Sequence, residues 1–130
     1  MICGIGVDTV TISEIAGLLN RLRPGALQRI FTPAELEAAK KREPAEYLAA
    51  RYAAKEALFK AVAPLLDDGY FDLRLVETLN RPDGSPYIRV SHQLQQILDR
   101  VGVRGLYISI TTEGDFATAF VLTQRVPDKG

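Results

Sequence analysis

One segment, residues 51–60, places charged side chains on a stretch that is otherwise suited to burial. The surrounding residues 45–63 contain no Gly or Pro and are rich in Ala and Leu, which predicts a long helix that is buried on more than one side. The charged residues of segment 51–60 are Arg51, Lys55, Glu56 and Lys60. Buried charges are costly unless they are paired or bound to a ligand. The segment is therefore a candidate functional site.

Asp8 is a second candidate, because it directly follows residues 2–7, a short apolar run that predicts a buried strand ending before Asp8. Together with Glu56 it would supply a pair of hard oxygen ligands. Two carboxylates completed by substrate phosphates are a usual way for a protein to hold Mg²⁺. Lys and Arg side chains nearby would then face the phosphates.

Both candidates also have purely structural explanations, which the residues leave open. Glu56 and Lys60 are one helical turn apart and can form an internal ion pair, while Lys55 can extend its stem along the apolar surface. Asp8 can act as a local cap for the loop that leads into Thr11.

Composition excludes several other classes of protein. The 130 residues carry 16 Lys plus Arg and 16 Asp plus Glu, whereas proteins that bind nucleic acid or membrane surfaces through charge carry a basic excess. No apolar run approaches the length of a membrane span. The single cysteine, Cys3, is expected to be a small buried residue, and it indicates a reducing compartment, so we expect a cytoplasmic protein.

Other catalytic arrangements lack parts. His92 has no second His or Cys to share a transition metal and is expected at the surface, at the start of a helix. Gly4 and Gly6 precede Asp8 without a third glycine or a βαβ unit, so they do not form a dinucleotide-binding loop. We expect them to ease close packing of the strand.

The order of predicted elements indicates one α+β domain over residues 1–124, followed by a frayed tail over residues 125–130. Thr11-Ile12-Ser13-Glu14 and Thr32-Pro33-Ala34-Glu35 have the form of capping boxes and predict two helices before the central one, the second running to about Arg42. Later elements are a hairpin of residues 71–75 and 86–90, a helix between Ser91 and Gly102, and a second hairpin of residues 106–111 and 116–122.

Five segments together resemble a known family. They are Gly4-Ile5-Gly6-Val7-Asp8, Phe31-Thr32-Pro33-Ala34-Glu35-Leu36, Arg51-Tyr52-Ala53-Ala54-Lys55-Glu56-Ala57, Ser109-Ile110-Thr111 and Ala117-Thr118-Ala119. In this combination the chain resembles holo-acyl-carrier-protein synthase, the short type of 4′-phosphopantetheinyl transferase. The resemblance spans nearly the whole chain. It implies that family's fold, a long buried central helix packed on antiparallel strands, and a homotrimer with active sites between subunits.

The resemblance also implies an activity and its residues. The phosphopantetheine arm of coenzyme A would pass to a serine of an apo acyl carrier protein, in support of fatty acid or polyketide synthesis, with release of adenosine 3′,5′-bisphosphate. Asp8 and Glu56 would ligate Mg²⁺, with Glu56 or a water near it as the base. Lys60 would lie at the phosphates of coenzyme A, and the further coenzyme-binding residues would be Arg51, Lys55 and Thr111.

Two positions depart from the family pattern. Many members have a histidine shortly after the Ser-Ile-Thr strand, where this chain has Thr112 and Glu113, so a histidine base is not expected. Some members present an arginine to the carrier protein near the position of Glu14, which the capping box explains here. We therefore expect an acidic carrier to meet other basic residues of this region, namely Arg21, Arg23 and Arg29.

Two further hypotheses remain beside the enzyme. One is a binding module of the same fold that holds coenzyme A or a carrier protein with weak or no catalysis. The other is a trimeric structural domain in which the charges of residues 51–60 form an internal ion-pair network.

Overall fold

The computed structural model describes residues 1–23, 25–67, 69 and 71–125, and within these ranges the chain forms an α+β fold. Its strands are β1 (Ile2–Thr11), β2 (Val76–Asn80), β3 (Pro86–Val90), β4 (Gly105–Glu113) and β5 (Phe116–Gln124). Its helices are α1 (Ile12–Arg21), α2 (Pro33–Ala39), α3 (Pro44–Val62) and α4 (His92–Val101). Short 3₁₀ turns occupy Leu27–Arg29, Ala63–Leu65 and Leu73–Leu75.

The strands form two antiparallel sheets. The larger sheet has the order β1-β5-β4, and the smaller one is the β2-β3 hairpin. Helix α3 packs across the inner face of the larger sheet and also contacts β2. The predicted long central helix and the second hairpin are thereby confirmed, and a first hairpin is present with a different first strand.

Close packing between β1 and α3 depends on two glycines. A Cβ at Gly6 would overlap the backbone carbonyl oxygen of Ala57, and one at Gly4 would overlap that of Ala61. On the helix side the facing residues are small, and Ala53, Ala57 and Ala61 are buried. This confirms the packing role expected for the glycines, and it brings the backbone of β1 directly against α3.

Local capping follows the sequence at two helices and departs from it at one. Thr32 and Glu35 form the predicted capping box of α2, although the helix ends at Ala39 rather than near Arg42. Ser91 caps α4 and Gly102 ends it in the left-handed conformation, as predicted. The prediction of a capping box at Thr11 is wrong.

The start of α1 is held from another element instead. The Thr11 side chain makes no capping hydrogen bond. The backbone amide and the hydroxyl of Ser13 donate to the carboxylate of Asp115, in the turn between β4 and β5, at 3.0 and 2.5 Å. A distant carboxylate therefore accepts from a first-turn amide, as the Thr11 side chain was expected to do.

The first hairpin begins later than predicted. Residues 73–75 form a 3₁₀ turn, with Asp72 accepting from the Arg74 amide, and β2 starts at Val76. The expectation of a strand over residues 71–75 was therefore wrong, because alternating apolar residues suit both conformations.

The ends of the described chain are tied together. The Arg125 amide donates to the Met1 carbonyl at 2.8 Å and its guanidinium donates to the Val101 carbonyl at 3.0 Å. The frayed tail was expected at residues 125–130; Arg125 is held by these hydrogen bonds, and residues 126–130 lie outside the described residues. Cys3 is partly buried, with its Sγ 3.4 Å from Thr123 Oγ1, and His92 is exposed at the start of α4, as expected. None of the described helices has the length and apolar character needed to cross a membrane.

Candidate active site

Asp8 lies inside β1, not after its end as expected, since the strand continues to Thr11. It alternates with Gly6 and so faces α3. Lys60, on the last turn of α3, donates to Asp8 Oδ1 at 2.9 Å and to the Val7 carbonyl at 3.1 Å. The pair remains accessible, because the Lys60 side chain is 51% exposed and that of Asp8 is 18% exposed.

Glu56 lies near Asp8 at one end of a groove of about 480 Å³. Tyr52, one turn before Glu56 on α3, lines the same groove. Burial raises the pKa of Tyr52, and the negative charge of Glu56, a hydrogen bond to Glu56 and the charge of Asp8 raise it further. The two carboxylates therefore line the same groove, and both lie close enough to Tyr52 to raise its pKa.

The remaining wall of this groove is mostly apolar, and Glu14 is its one acidic residue among those that the structure describes. This wall is formed by α1 and the turn after it, with Ile15, Leu18, Leu22, Leu27 and Phe31 among its residues. The groove thus joins Asp8 and Glu56 to a mostly apolar part beside α1, which also contains Glu14.

The ion pair considered for Glu56 and Lys60 is not formed. Both residues are described, and Lys60 pairs with Asp8 instead. Among the described residues, Glu56 has no basic partner. Its carboxylate oxygens are consequently available to a ligand.

The donor set fits Mg²⁺. No group of three or more His, Cys, Asp or Glu residues that could hold a metal ion occurs in the described part of the chain. Mg²⁺ nevertheless needs only one or two protein carboxylates when substrate phosphates and waters fill its other positions. Asp8 and Glu56 supply those carboxylates, and Lys60 supplies a positive charge beside them.

Lys55 does not lie at this groove. It is fully buried, and its Nζ is 2.6 Å from Oε1 of Glu35, which is equally buried. It also donates to the carbonyls of Leu73 and Val76. With its donors occupied and no exposed surface, Lys55 has no means of touching a phosphate, so the structure corrects the expected coenzyme contact and the expected extension toward solvent.

Arg51 lines a second cavity, of about 290 Å³, on the β4 side of α3. Its Nη1 donates to the Thr78 carbonyl at 3.2 Å and to Asn80 Oδ1 at 2.7 Å. Its guanidinium stacks over the Tyr47 ring, with 4.2 Å from Cζ to the ring centroid. Burial lowers the pKa of Arg51. The buried Nε has no hydrogen-bond partner.

The two threonines of β4 face in opposite directions. Thr111 is exposed and pairs in register with Thr118, on the sheet face opposite α3, so the structure does not bring it together with Asp8 in one subunit. Thr112 lines the cavity of Arg51 and donates to Glu46 Oε1 at 3.1 Å. The position where many family members have histidine is thus occupied by a hydroxyl bonded to a carboxylate.

Sequence reasoning missed the roles of Glu35 and Tyr52. Glu35 had been explained fully by its capping box, which it does form. Glu35 is a charged residue in an otherwise apolar first helical turn, and this could have prompted a search for a second partner of its carboxylate. Tyr52 was not singled out as a site residue, although its spacing of one turn from Glu56 places its hydroxyl near that carboxylate.

Comparisons with known proteins identify the family. The 4′-phosphopantetheinyl transferase superfamily matches residues 4–121. A holo-[acyl-carrier-protein] synthase from Desulforudis audaxviator is 39% identical over 125 residues, covering 94% of this chain and 92% of that protein. The crystal structure of the synthase from Neisseria meningitidis has a TM-score of 0.85 and 32% identity, covering 96% of this chain and all of that one.

A synthase from Bacillus anthracis, solved in complex with CoA (3′,5′-ADP), has a TM-score of 0.75 and 28% identity, covering 97% of this chain and 99% of that one. The family match, the full-length identity and the shared architecture agree with one another. This chain belongs to the 4′-phosphopantetheinyl transferase superfamily.

Proposed function

We propose that this protein is a holo-[acyl-carrier-protein] synthase, which transfers the 4′-phosphopantetheine arm of coenzyme A to a serine of an apo acyl carrier protein. The observation that carries the proposal is the meeting of Asp8 and Glu56 at one groove, with the Lys60 ammonium 2.9 Å from Asp8. Carboxylates and a lysine at an accessible site are suited to a metal-assisted transfer between phosphate esters.

The reaction exchanges one phosphorus–oxygen bond for another. The serine oxygen bonds to the phosphorus that carries the pantetheine, and the bond from that phosphorus to the bridging oxygen of the diphosphate breaks. Adenosine 3′,5′-bisphosphate leaves with the bridging oxygen. The serine proton passes to a base, for which Glu56 is our candidate.

The residues of the groove share the other tasks of this scheme, and Glu56 has a second one. Asp8 and Glu56 would hold Mg²⁺, which when bound neutralises charge on the diphosphate and on the leaving group. Lys60 orients the phosphates, and its charge offsets the negative charge that develops in the transition state. Tyr52 lines the groove beside Glu56, and its hydroxyl would orient that carboxylate.

We propose that the carrier protein docks at the mostly apolar part of this groove beside α1. Leu18 and Leu22 are 40% and 37% exposed there. Arg21, Arg23 and Arg29 are exposed on α1 and the segment after it. Leucines bordered by arginines fit an amphipathic acidic helix, because apolar contact supplies affinity and complementary charge steers the encounter.

We further propose a homotrimer whose active sites are shared between neighbouring subunits. The Asp8 groove contains residues of β1 and the Arg51 cavity contains residues of β4. These strands are the opposite edges of the larger sheet. A closed ring would bring the β1 edge of one subunit to the β4 edge of the next and so unite the two half-sites.

The outer face of the larger sheet supports this assembly. It exposes Val7, Tyr107 and Phe120, which alternate with the inward-facing residues of their strands. An apolar sheet face of this kind marks an interaction surface. The trimer also explains how Thr111, on this outer face, could reach a coenzyme held mainly by a neighbouring subunit.

We propose a cytoplasmic location, since the one thiol, Cys3, is free and suits a reducing compartment.

The release of adenosine 3′,5′-bisphosphate, followed by chromatography, tests the proposed reaction. We expect release to require coenzyme A, Mg²⁺ and an apo carrier with its acceptor serine, and to stop when that serine is replaced by alanine. Release without a carrier would indicate hydrolysis of coenzyme A. Binding of coenzyme A without release on any carrier would favour the non-catalytic binding module.

A further inference from the structure

The buried carboxylate of Glu35 joins three elements, of which only α2 is its own. It accepts from the Thr32 amide at 2.9 Å, closing the capping box. It lies 2.6 Å from Lys55 Nζ on α3, and it accepts from the Thr78 amide of β2 at 3.0 Å. Neither Glu35 nor Lys55 has any exposed surface, so neither side chain can touch a ligand directly.

Two successive turns of α3, which carry Arg51 and Lys55, hold β2 along its length. Lys55 donates to the carbonyl of Leu73, in the turn before the strand, and to that of Val76, its first residue. Arg51, one turn earlier on the helix, donates to the Thr78 carbonyl and to Asn80 Oδ1, toward its end. Thr78 is therefore fixed from both sides, with its amide on Glu35 and its carbonyl on Arg51.

In this arrangement the two terminal nitrogens of the Arg51 guanidinium have different surroundings. Its hydrogen bonds to described residues all leave from Nη1. Asn80 is itself oriented for this contact, because its amide nitrogen donates to the Gly84 carbonyl at 2.8 Å. Nη2 makes no hydrogen bond to the described residues, and Arg51 lines the cavity beside β4. A guanidinium held at one side keeps its other donors for an anion.

We propose that the Glu35–Lys55 pair is a positioning device for Arg51, acting through Thr78 and β2, so that the guanidinium presents its free side to an anionic group of coenzyme A. The inference deepens the proposed function and rests on it for the identity of the ligand. A buried ion pair is a poor source of stability compared with apolar residues of equal volume, whereas it fixes the relative position of the elements it joins.

The test removes the pair without leaving a lone buried charge. The double variant Glu35→Gln/Lys55→Met keeps the side-chain volumes. Its matched control is Glu37→Gln/Lys40→Met, which makes the same changes at an exposed pair at the C-terminal end of α2, 3.2 Å apart. We expect the double variant to raise KM for coenzyme A about tenfold with kcat changed less than about twofold. The control should leave both constants unchanged. An unchanged KM in the folded double variant would overturn the inference.

A second measurement separates this inference from the proposed function. Rotation of the Arg51 guanidinium about its Nε–Cζ bond can be followed by NMR in the absence of any substrate. We expect slow rotation in the wild-type protein and in the control, and faster rotation in the double variant. Equal rotation would refute the positioning role, whether or not the protein is a transferase. A wild-type protein without transferase activity would refute the proposed function, and the NMR result would still decide the inference.

Should the double variant fail to fold, Glu35→Asp replaces it, because aspartate keeps the charge pair but shortens the arm that reaches Thr78. The expected results are the same in direction, with a raised KM and faster guanidinium rotation. A folded Glu35→Asp variant with wild-type values of both would contradict the proposal.

Discussion

Lys60 Nζ lies 2.9 Å from Oδ1 of Asp8, a residue 52 positions away in the chain, and forms no ion pair with Glu56, one turn away on the same helix. The Asp8 carboxylate therefore has a positively charged partner, whereas the Glu56 carboxylate has none among the described residues. Such an asymmetric pair can hold a cation through Glu56 and Asp8 while Lys60 remains close enough to reach a phosphate.

Lys60→Met tests the proposed phosphate contact. The variant keeps the length of the side chain and removes the charge, so we expect KM for coenzyme A to rise about tenfold. The free energy of unfolding should change by less than about 1 kcal/mol, because the Asp8 pair is partly exposed. Steady-state kinetics and urea denaturation provide the two values. A wild-type KM in this variant would rule out the contact.

Gly6→Ala tests the close approach of β1 to α3. The added Cβ would overlap the Ala57 carbonyl oxygen, and we expect a loss of about 1–3 kcal/mol in the free energy of unfolding. Gly17→Ala is the matched control, because Gly17 lies within α1 and its nearest neighbour would be the Arg21 side chain at 3.8 Å. There the same substitution should add about 0.5–1 kcal/mol. Denaturation curves that rank the two variants in the reverse order would contradict this packing.

Asp72→Asn tests an electrostatic contribution that depends on pH. Hydrogen bonds from Arg74 hold the pKa of Asp72 below its ordinary value of 3.8. The folded state thus favours the charged carboxylate, so its contribution is present above that value and is lost as pH falls through the lowered pKa. At about pH 7 we expect the variant to be less stable by about 0.2–1 kcal/mol, since the site is partly exposed.

The comparison at low pH is the control for Asp72. Asparagine can still accept from the Arg74 amide, so the substitution isolates the charge. At about pH 2 the two proteins should unfold at nearly the same urea concentration. A stability difference that is equal at both pH values would exclude the charge as its cause.

Mixing two inactive variants tests whether active sites are shared between subunits. Glu56→Gln disables the half-site at the β1 edge, and Arg51→Gln disables the half-site at the β4 edge. After joint unfolding and refolding, a mixed trimer should contain some sites with both wild-type residues and so recover measurable activity. If trimers form but no activity returns, both residues must act within one subunit.

Local physical rules predicted most of the elements. Residues 45–63 contain no helix breaker, and their alanines match the glycines of β1, so both the helix and its close packing were predictable. The caps at Ser91 and Thr32 depend on residues a few positions apart, and both were found. Predictions from nearby residues were wrong where a distant residue competes. Asp115 replaces the local cap of α1 from 102 positions away.

The same distinction between local and distant information applies to the residues of the candidate site. Asp8 and Glu56 could be paired from the sequence because each carries a costly charge in an apolar setting. The partner of Lys55 could not be found in this way, since Glu35 already had a local explanation in its capping box. Likewise, the separation of Arg51 from Asp8 follows from the strand order β1-β5-β4, which depends on long-range pairing that no short segment contains.

The mass of an apo acyl carrier protein after incubation with this protein, coenzyme A and Mg²⁺ tests the central claim most directly. We expect the carrier to gain the mass of one phosphopantetheine group on its serine. Glu56→Gln should slow that gain by about 10²–10³-fold, while Glu37→Gln, an exposed site on α2, should not alter it. No gain of mass on any of several carriers, from a folded protein that binds coenzyme A, would contradict the account.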